Sequence, residues 1–288
     1  MLEVKKDILK KIYKTRPKNV RKYDFGLLLV IGGSQFYSGS PALAAMAAFK
    51  SGVDMVRIIA PFRAANIIAC FSPNLAAYPL PGNWLVKEDL PTLFTMTESA
   101  KEVARGNIAV VIGGGMGRTK ETQEAILEYL SKISVPVVID ADAIYAISKK
   151  PELMSNKNFL ITPHSYEFYV LTGKKVIGKS DEEKIKIVQK EAKRLKTTIL
   201  LKGKTDVISN GKDISLNRTG SPLLTVGGCG DTLAGICGAL MARGIDPFTA
   251  AQAGAFINSS AGVLAGKKLG ESVTATDLIN EIANILPR

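Results

Sequence analysis

Several short segments of this 288-residue sequence combine a flexible backbone with a side chain that can take or hold a proton. The most informative is LLTVGGCGDTLAG at 223–235, where Gly227, Gly228 and Gly230 stand directly before Asp231. A helix that starts here would point several unpaired amides at one space, and such amides bind phosphate. A carboxylate beside that phosphate can accept a proton from an attacking hydroxyl. The segment therefore indicates phosphoryl transfer with Asp231 as the base; the alternative is that Asp231 only caps the helix.

Two further segments are rich in glycine. IGGSQFYSGSPALAAMAA at 31–48 and VIGGGMGR at 111–118 each follow an apolar run and lead into a helical pattern. Neither segment is a Walker A loop or a G-x-G-x-x-G fingerprint. Ordinary tight turns explain either segment about as well as ligand contact does, so both roles stay open.

The remaining candidate groups also follow the ends of apolar runs. LITPHSYE at 160–167 holds the only histidine of the sequence, His164, and Glu167 stands three residues later, close to it on a first helical turn. For His164, ligand contact and a structural role are about equally well supported by the pattern. Four more candidates lie in VIDADAI at 138–144 and LLKGKTDVI at 200–208: Asp140, Asp142 (expected as a helix N-cap), Lys202 and Lys204.

These groups can come together only if the strands before them end at the same edge of a sheet. The apolar runs are typical of such strands. The runs are continuous rather than alternating, which is typical of strands covered on both faces. This order predicts an α/β fold with a mainly parallel central sheet, helices on both sides, and ligands beyond the carboxyl ends of the strands. The predicted strands are 27–31, 55–60, 108–112, 135–140, 158–162 and 197–203; the predicted helices are 41–50, 119–132, 181–196, 231–243 and 247–267; a hairpin is predicted at 205–217 and a loop at 72–91.

Composition and charge limit the class of protein. Hydrophobic residues make up 46% of the chain and charged residues 22%, as in globular proteins. The formal net charge is +12, but the basic residues are spread out and are not interleaved with aromatic residues, so no nucleic-acid partner is expected. No run reaches the roughly 20 apolar residues of a membrane span. Three cysteines without C-x-x-C spacing fit a reduced, cytoplasmic protein.

The N-terminal segment differs from the rest of the chain in composition. It is rich in lysine and arginine and lacks an apolar core of signal-peptide length, so secretion is not expected. We expect a basic lead-in over residues 1–24, docked by a few apolar side chains of a short helix. A single catalytic domain is expected over residues 25–288.

Taken in order, the motifs resemble the ADP/ATP-dependent NAD(P)H-hydrate dehydratases, a family of the ribokinase-like superfamily. The likeness rests on Ser-Gly-Ser-Pro-Ala-Leu-Ala-Ala, Asp-Ala-Asp-Ala, Thr-Pro-His, Leu-Lys-Gly and Gly-Gly-x-Gly-Asp-x-Leu-Ala-Gly, and it covers roughly residues 20–287. The resemblance implies a ribokinase-like three-layer α/β/α fold. It also implies a repair reaction, in which ADP or ATP phosphorylates the hydroxyl of wrongly hydrated NADH or NADPH and phosphate then leaves.

The resemblance further implies roles for individual residues. Asp231 matches the family's acidic catalytic residue at the substrate, with the backbone at Gly228, Cys229 and Gly230 as its anion site. Glu167 matches a residue associated with magnesium and phosphate. Ser40, Gly115 and His164 match positions that line the dinucleotide substrate, and Lys202, Gly203, Lys204, Thr205 and Asp206, together with Gly230, match the nucleotide-binding positions.

This chain departs from the usual residues of the family at several positions. Ser40 stands where alanine is usual, and Gly114 stands where proline is usual. Ser165 and Tyr166 replace a Pro-Gly pair, and Cys229 replaces a common threonine. Because Cys229 still offers its backbone amide, we expect the anion site to be retained.

The sequence therefore predicts an ADP-dependent (S)-NAD(P)H-hydrate dehydratase that uses magnesium. One alternative is a ribokinase-like kinase for a thiazole, pyrimidine or sugar hydroxyl, which would release a stable phosphoester. A second alternative is a nucleotide-binding protein without turnover, which would be indifferent to Asp231→Asn. The expected ligands are the hydrates of NADH and NADPH together with ADP or ATP, and the expected assembly is a homo-oligomer, a dimer or a tetramer.

Overall fold

One ten-stranded sheet carries the fold of residues 2–287, the part of the chain that the computed structural model describes. Its strands are β1 (Leu2–Glu3), β2 (Leu27–Ile31), β3 (Met55–Pro61), β4 (Ala76–Leu80), β5 (Ile108–Ile112), β6 (Val137–Ile139), β7 (Phe159–Ile161), β8 (Thr198–Leu201), β9 (Asp206–Ser209) and β10 (Ile214–Asn217). They follow the order β1-β10-β9-β8-β7-β6-β5-β2-β3-β4. β9 is antiparallel to both neighbours, whereas the other pairs are parallel. The predicted, mainly parallel sheet is confirmed.

Helices cover both faces of this sheet. They are α1 (Asp7–Ile12), α2 (Gly39–Lys50), α3 (Phe62–Ala69), α4 (Leu90–Val103), α5 (Lys120–Lys132), α6 (Asp142–Ile147), α7 (Ser165–Thr172), α8 (Asp181–Leu195), α9 (Cys229–Ala242), α10 (Pro247–Leu269) and α11 (Ala275–Ile285). Alternate residues of β2 divide between two cores. Leu28 and Val30 pack with α1–α3 and α9–α11, whereas Leu27, Leu29 and Ile31 pack with α4–α8. The predicted three layers, α/β/α, are therefore present.

Helix α9 lies in unusually close contact with its neighbours. A methyl group built on Gly235 would lie 2.1 Å from the carbonyl oxygen of Ala44 in α2, and one on Gly238 would lie 2.4 Å from a side-chain carbon of Val111 in β5. Since only glycine permits this approach, the sequence fixes how α9 is seated between α2 and the sheet. The helix that carries Asp231 is thereby placed against β2 and β5.

The element boundaries explain how the site is formed. The strands predicted at 135–140, 158–162 and 197–203 are shorter, because the predictions included loop residues on both sides of β6, β7 and β8. The helix predicted at 231–243 begins two residues earlier, at Cys229, because Gly228 adopts a left-handed conformation with φ 94° and starts it. The hairpin is confirmed as β9 and β10, with Gly211 at φ 89° in the turn.

Some elements were not predicted. The loop expected over 72–91 contains β4, an edge strand that pairs with β3 alone and includes Pro79. Helices α3, α4 and α11 were also missed, whereas the helix starts expected near Asp142 and at 164–167 are confirmed as α6 and α7. Residues before position 25, expected as a lead-in, add β1 to the sheet beside β10 and bury Leu9 of α1 completely. Within residues 2–287 no helix combines the length and the apolar character that crossing a membrane requires.

Candidate active site

The candidate groups converge where the parallel strands end. Asp140 follows β6, Thr162 and His164 follow β7, and Lys202 follows β8, whereas Gly113–Gly115 follow β5. Gly33, beyond β2, donates its amide to the carbonyl oxygen of Gly114 at 2.8 Å. Because these strands are neighbours and parallel, their carboxyl ends form one edge, where ligands bind in open α/β sheets. The predicted location of the site follows from this topology.

The start of α9 faces this edge with unpaired amides. Among residues 2–287 none accepts a hydrogen bond from the backbone amides of Gly228, Cys229 or Gly230. Asp231 lies in the first turn and makes no side-chain capping bond, so the alternative role of a simple helix cap is wrong. The helix dipole adds partial positive charge at the same place. The free amides and the dipole at this helix end are the arrangement from which the glycine pattern predicts an anion site.

Asn258, on α10, holds the first turn of α9 in place. Its Nδ2 donates to the carbonyl oxygen of Cys229 at 3.2 Å, and its Oδ1 accepts from the hydroxyl of Thr232 at 2.7 Å. Asn258 and Thr232 are both buried. Sequence reasoning missed this residue, because its partners lie 26 and 29 positions away and no local pattern marks it.

Asp231 lies in a pocket formed by three elements. Its Oδ1 accepts a hydrogen bond from the hydroxyl of Ser40, at the start of α2. A methyl group built on Gly114 would lie 3.0 Å from the same oxygen. Burial raises the pKa of Asp231 to about 6 and the charge of Asp140 adds to the rise, whereas Ser40 and Lys202 oppose it. Asp231 is therefore ionised at neutral pH and able to accept a proton.

Lys202 links the carboxylates of the site. Its Nζ lies 2.8 Å from Oδ1 of Asp140 and 3.9 Å from Oε2 of Glu167. A methyl group built on Gly230 would lie 3.4 Å from this ammonium, which places Lys202 beside the free amides of α9. Burial opposes the charge of Lys202, but Asp140, Glu167 and Asp231 outweigh it and raise its pKa. The ammonium and the amides are thus positioned to share one anionic ligand.

His164 begins α7 through a reciprocal capping arrangement with Glu167. Nδ1 of His164 accepts from the amides of Tyr166 and Glu167, and the Glu167 carboxylate accepts from the amide of His164 at 2.8 Å. Burial and the charge of Lys202 lower the pKa of His164, so its imidazole is neutral at pH 7. Half of this side chain remains exposed at the rim of the site. The capping role and the substrate-contact role are therefore compatible.

A buried carboxylate holds the loop between β8 and β9 in place. Asp206 accepts from the amide of Gly203 at 3.0 Å and from Nδ2 of Asn217 at 2.9 Å. Burial raises the pKa of Asp206 to about 6. Gly203 and Lys204 are exposed at the tip of the loop, and Thr205 accepts from Arg218 at 3.2 Å. Asp206 thus shapes the predicted nucleotide loop from within the protein.

The rim opposite this loop is formed by the glycine turn after β5. A methyl group built on Gly115 would lie 2.8 Å from the ring of Tyr37, so the ring covers this glycine. Asp142, expected as an N-cap, instead accepts from the amide of Gly117 at 2.9 Å and pairs with Arg118 at 2.8 Å. Ala141 occupies the N-cap position of α6 with φ 48°. The rim therefore presents the ring of Tyr37 and the guanidinium of Arg118, which Asp142 holds in place.

A magnesium ion fits this donor set only together with phosphate. No group of three or more His, Cys, Asp and Glu side chains in the described part of the chain is arranged to hold a metal ion alone. Mg²⁺ commonly binds one or two carboxylates and completes its shell with phosphate and water. Asp140 and Glu167 are buried carboxylates on either side of Lys202, at the edge where the anion site lies. They suit an ion that arrives with a nucleotide.

The fold is ribokinase-like. The structure is similar to a ribokinase-like superfamily protein from Enterococcus faecalis, with a TM-score of 0.80, 24% sequence identity, and coverage of 98% of this chain and 94% of that one. It is also similar to the ADP/ATP-dependent NAD(P)H-hydrate dehydratase of Bacillus subtilis co-crystallised with ATP/Mg²⁺. That comparison gives a TM-score of 0.79 and 22% identity, over 99% of this chain and 97% of the other.

Sequence comparison identifies the family. The model of the NAD(P)H-hydrate dehydratase family matches residues 28–284, and this chain therefore belongs to that family, as the motifs predicted. An ADP-dependent (S)-NAD(P)H-hydrate dehydratase from Nitrosopumilus maritimus is 36% identical over 280 residues, which cover 97% of this chain and 94% of that protein. A bifunctional NAD(P)H-hydrate repair enzyme from Hyperthermus butylicus is 39% identical over 281 residues. The match covers 95% of this chain but 51% of that enzyme, so the chain spans about half its length.

Proposed function

We propose that this protein is an ADP-dependent (S)-NAD(P)H-hydrate dehydratase, a hydro-lyase that repairs hydrated NADH and NADPH. The observation that carries the proposal is the meeting of three groups at one edge of the sheet. They are the ionised carboxylate of Asp231, the free amides at the start of α9, and the ammonium of Lys202. The match to the relative from Nitrosopumilus maritimus, which is nearly complete in both chains, supports the same activity.

The first chemical step is phosphorylation of the hydroxyl that hydration added to the nicotinamide ring. The carboxylate of Asp231 accepts the hydroxyl proton while the hydroxyl oxygen attacks the terminal phosphorus of ADP, and AMP leaves. Charge on the transferred phosphoryl group is stabilised by the amides of Gly228, Cys229 and Gly230 and by Lys202. Burial raises the pKa of the Cys229 thiol to about 11, so Cys229 acts here through its amide and not as a nucleophile.

The second step is elimination. Hydroxide is a poor leaving group, whereas phosphate leaves readily when the ring nitrogen donates its electron pair toward the breaking carbon–oxygen bond. Loss of a proton from the adjacent carbon to the departing phosphate then restores the ring double bond and the reduced nicotinamide. Ser40, Gly115 and His164 would line the dinucleotide, and Lys202–Asp206 with Gly230 would hold the nucleotide. Asp140 and Glu167 would face a magnesium ion, which neutralises phosphate charge when it is bound.

We test the proposal with purified protein, hydrated NADH and magnesium, first with ADP and then with ATP. The absorbance of reduced nicotinamide in the near ultraviolet reports repair, and we expect it to recover with ADP. Recovery with ATP alone would keep the dehydratase activity and replace the donor. A protein that binds ADP yet restores no absorbance with either nucleotide would contradict the proposal. A stable phosphoester product would then identify the kinase alternative.

The proposal extends to location and assembly. A cytoplasmic enzyme is supported by Cys70, Cys229 and Cys237, all of which are free thiols. A homo-oligomer, dimer or tetramer, is proposed for the assembly. The small residues of α10 pack against α9 within the chain, as at Gly254, where a methyl group would lie 2.4 Å from Sγ of Cys237. An interface would therefore have to use other surfaces, and analytical ultracentrifugation measures whether one forms.

A further inference from the structure

Ser40 touches the one carboxylate that the proposed reaction uses as a base. It is the second residue of α2, is 5% exposed, and donates its hydroxyl hydrogen bond to Oδ1 of Asp231. In the described part of the chain no hydrogen bond reaches the other oxygen, Oδ2. The hydroxyl therefore occupies one side of the carboxylate and leaves the other side for a ligand.

We propose that Ser40 is a positioning residue, which binds Oδ1 of Asp231 and so assigns Oδ2 as the acceptor of the substrate's proton. This inference rests on the proposed function and adds a residue-specific element to it. A serine is not needed at this position for the fold, because alanine suits the first turn of this alanine-rich helix.

Gly114 supplies the space that this hydroxyl needs. A methyl group built on Gly114 would lie 3.0 Å from Cβ and Oγ of Ser40 and 3.0 Å from Oδ1 of Asp231. Contacts this short are tighter than side-chain carbons normally make, so a larger residue at Gly114 would displace the pair. Ser40 and Gly114 thus meet at the same carboxylate oxygen, and we infer that the hydroxyl at position 40 depends on the missing side chain at position 114.

The groups around Asp231 shift its pKa in opposite directions. Asp140 after β6 and Asp142 on α6 favour the neutral acid, whereas Lys202 after β8 favours the carboxylate. On its own helix, Cys229 is a neutral thiol. Ser40 donates directly to the charged form and lowers the pKa that burial has raised. Removing the hydroxyl should therefore make Asp231 harder to ionise.

The test compares wild type with Ser40→Ala. In wild type we expect kcat/KM for hydrated NADH to fall as the pH drops through about 6, the pKa of Asp231. In Ser40→Ala this fall should move to higher pH by about one pH unit, as expected for loss of a hydrogen bond to a charged group. Turnover at neutral pH should drop, while the Kd for ADP should stay the same.

A direct titration separates this inference from the proposed function. Carbon-13 NMR of protein labelled at aspartate, with Asp231→Asn to assign the signal, follows ionisation of Asp231 without any turnover. An upward shift of its titration in Ser40→Ala supports the inference, even in a protein that shows no repair activity. Unchanged titration in Ser40→Ala, or unchanged pH dependence in an active enzyme, would overturn it.

Two further variants exclude a general packing effect. Ser51→Ala removes another buried hydroxyl of the α2 segment, one that donates to the carbonyl oxygen of Ala47 at 2.8 Å, and it should leave the pH dependence unchanged. Gly114→Ala should reduce turnover more in wild type than in Ser40→Ala, because the contact with Oγ is absent from the second background. Equal losses in both backgrounds would contradict the pairing of Ser40 with Gly114.

Discussion

Asp231 combines two opposing demands in one side chain. Burial raises its pKa to about 6, so its ionised form is unfavourable in the folded protein, yet that form is the one a base requires. The folded pKa lies above the ordinary value of 3.8. The stabilising contribution of Asp231 is therefore complete below pH 3.8 and is lost as the pH rises through about 6. At neutral pH the site carries a charge that costs stability and serves the reaction.

We expect Asp231→Asn to separate these two effects. Its kcat should fall by roughly 10²–10⁴-fold, the usual contribution of a positioned base, while calorimetric titration with ADP gives an unchanged Kd. The melting temperature at pH 7 should stay the same or rise, because the variant removes a buried charge. Asp7→Asn, an exposed aspartate that pairs with Lys10, is the matched control and should retain full activity. Near-normal turnover in Asp231→Asn would exclude Asp231 as the base.

Local patterns in the sequence marked some residues of the site but not those that hold them. Asp231, Lys202 and His164 follow glycines or strand ends, which the sequence makes visible. Asn258 acts through partners on α9 that lie 26 and 29 positions away, whereas Asn217 bonds Asp206 across the β9–β10 hairpin. Nothing near either asparagine distinguishes it from a surface residue. The role of Asn258 depends on the packing of α10 against α9, and that of Asn217 on the register of the hairpin; a single sequence contains neither in local form.

At the scale of elements, the start of α9 depends on one backbone conformation. Gly228 has φ 94°, and a methyl group there would lie 2.6 Å from Cδ1 of Leu43 and 2.8 Å from Cβ of Ala275. The neighbouring Gly227 has open space around it and no left-handed backbone. The two adjacent glycines therefore have different functions, although the sequence presents them alike.

We expect Gly228→Ala to cost about 1–3 kcal/mol in the backbone conformation alone. It should also weaken ADP binding by roughly tenfold, since about 1.4 kcal/mol of misplaced amide contacts corresponds to that factor. Gly227→Ala should change neither the unfolding free energy nor the Kd appreciably. Urea denaturation and calorimetric titration measure both quantities. Similar behaviour of the two variants would contradict the role assigned to the left-handed turn.

The sequence predicted the buried strands better than the exposed ones. β2 and β5 are buried throughout, and their continuous apolar runs gave the observed bounds. β4 was missed because it lies at the edge of the sheet, is largely exposed and includes Pro79. The start of α9 was placed two residues late, because the glycines that begin it also resemble loop residues. The hydrophobic pattern thus identified the interior strands and was least informative for elements that are exposed to solvent.

At the scale of the whole molecule, the N-terminal segment is part of the folded core. Leu9 is 0% exposed, and Arg243 at the end of α9 lies over the ring of Tyr13, 4.6 Å from its centre. β1 extends the sheet beyond β10. We infer that the segment contributes to global stability although it contains none of the candidate site residues.

Leu9→Ala should reduce the free energy of unfolding by about 2–5 kcal/mol, the usual cost of a buried leucine cavity. Leu2→Ala is the matched control, because Leu2 is 68% exposed, and it should change the free energy by less than about 0.5 kcal/mol. Below the melting temperature both variants should repair hydrated NADH at the wild-type rate. Equal unfolding curves for the two variants would show that the segment lies outside the cooperative unit.

The close seating of α9 on α2 and β5 has a consequence for hydrogen exchange. A helix whose glycines touch the backbone of α2 and a side chain of β5 has no room to open locally, so amides of its middle turns should exchange with solvent only through global unfolding. The amide of Lys204, exposed at the tip of the loop between β8 and β9, should exchange within the dead time and slow when ADP binds. The α9 side of the site would then be rigid before any ligand binds, and the tip of the loop between β8 and β9 would become ordered around the ligand.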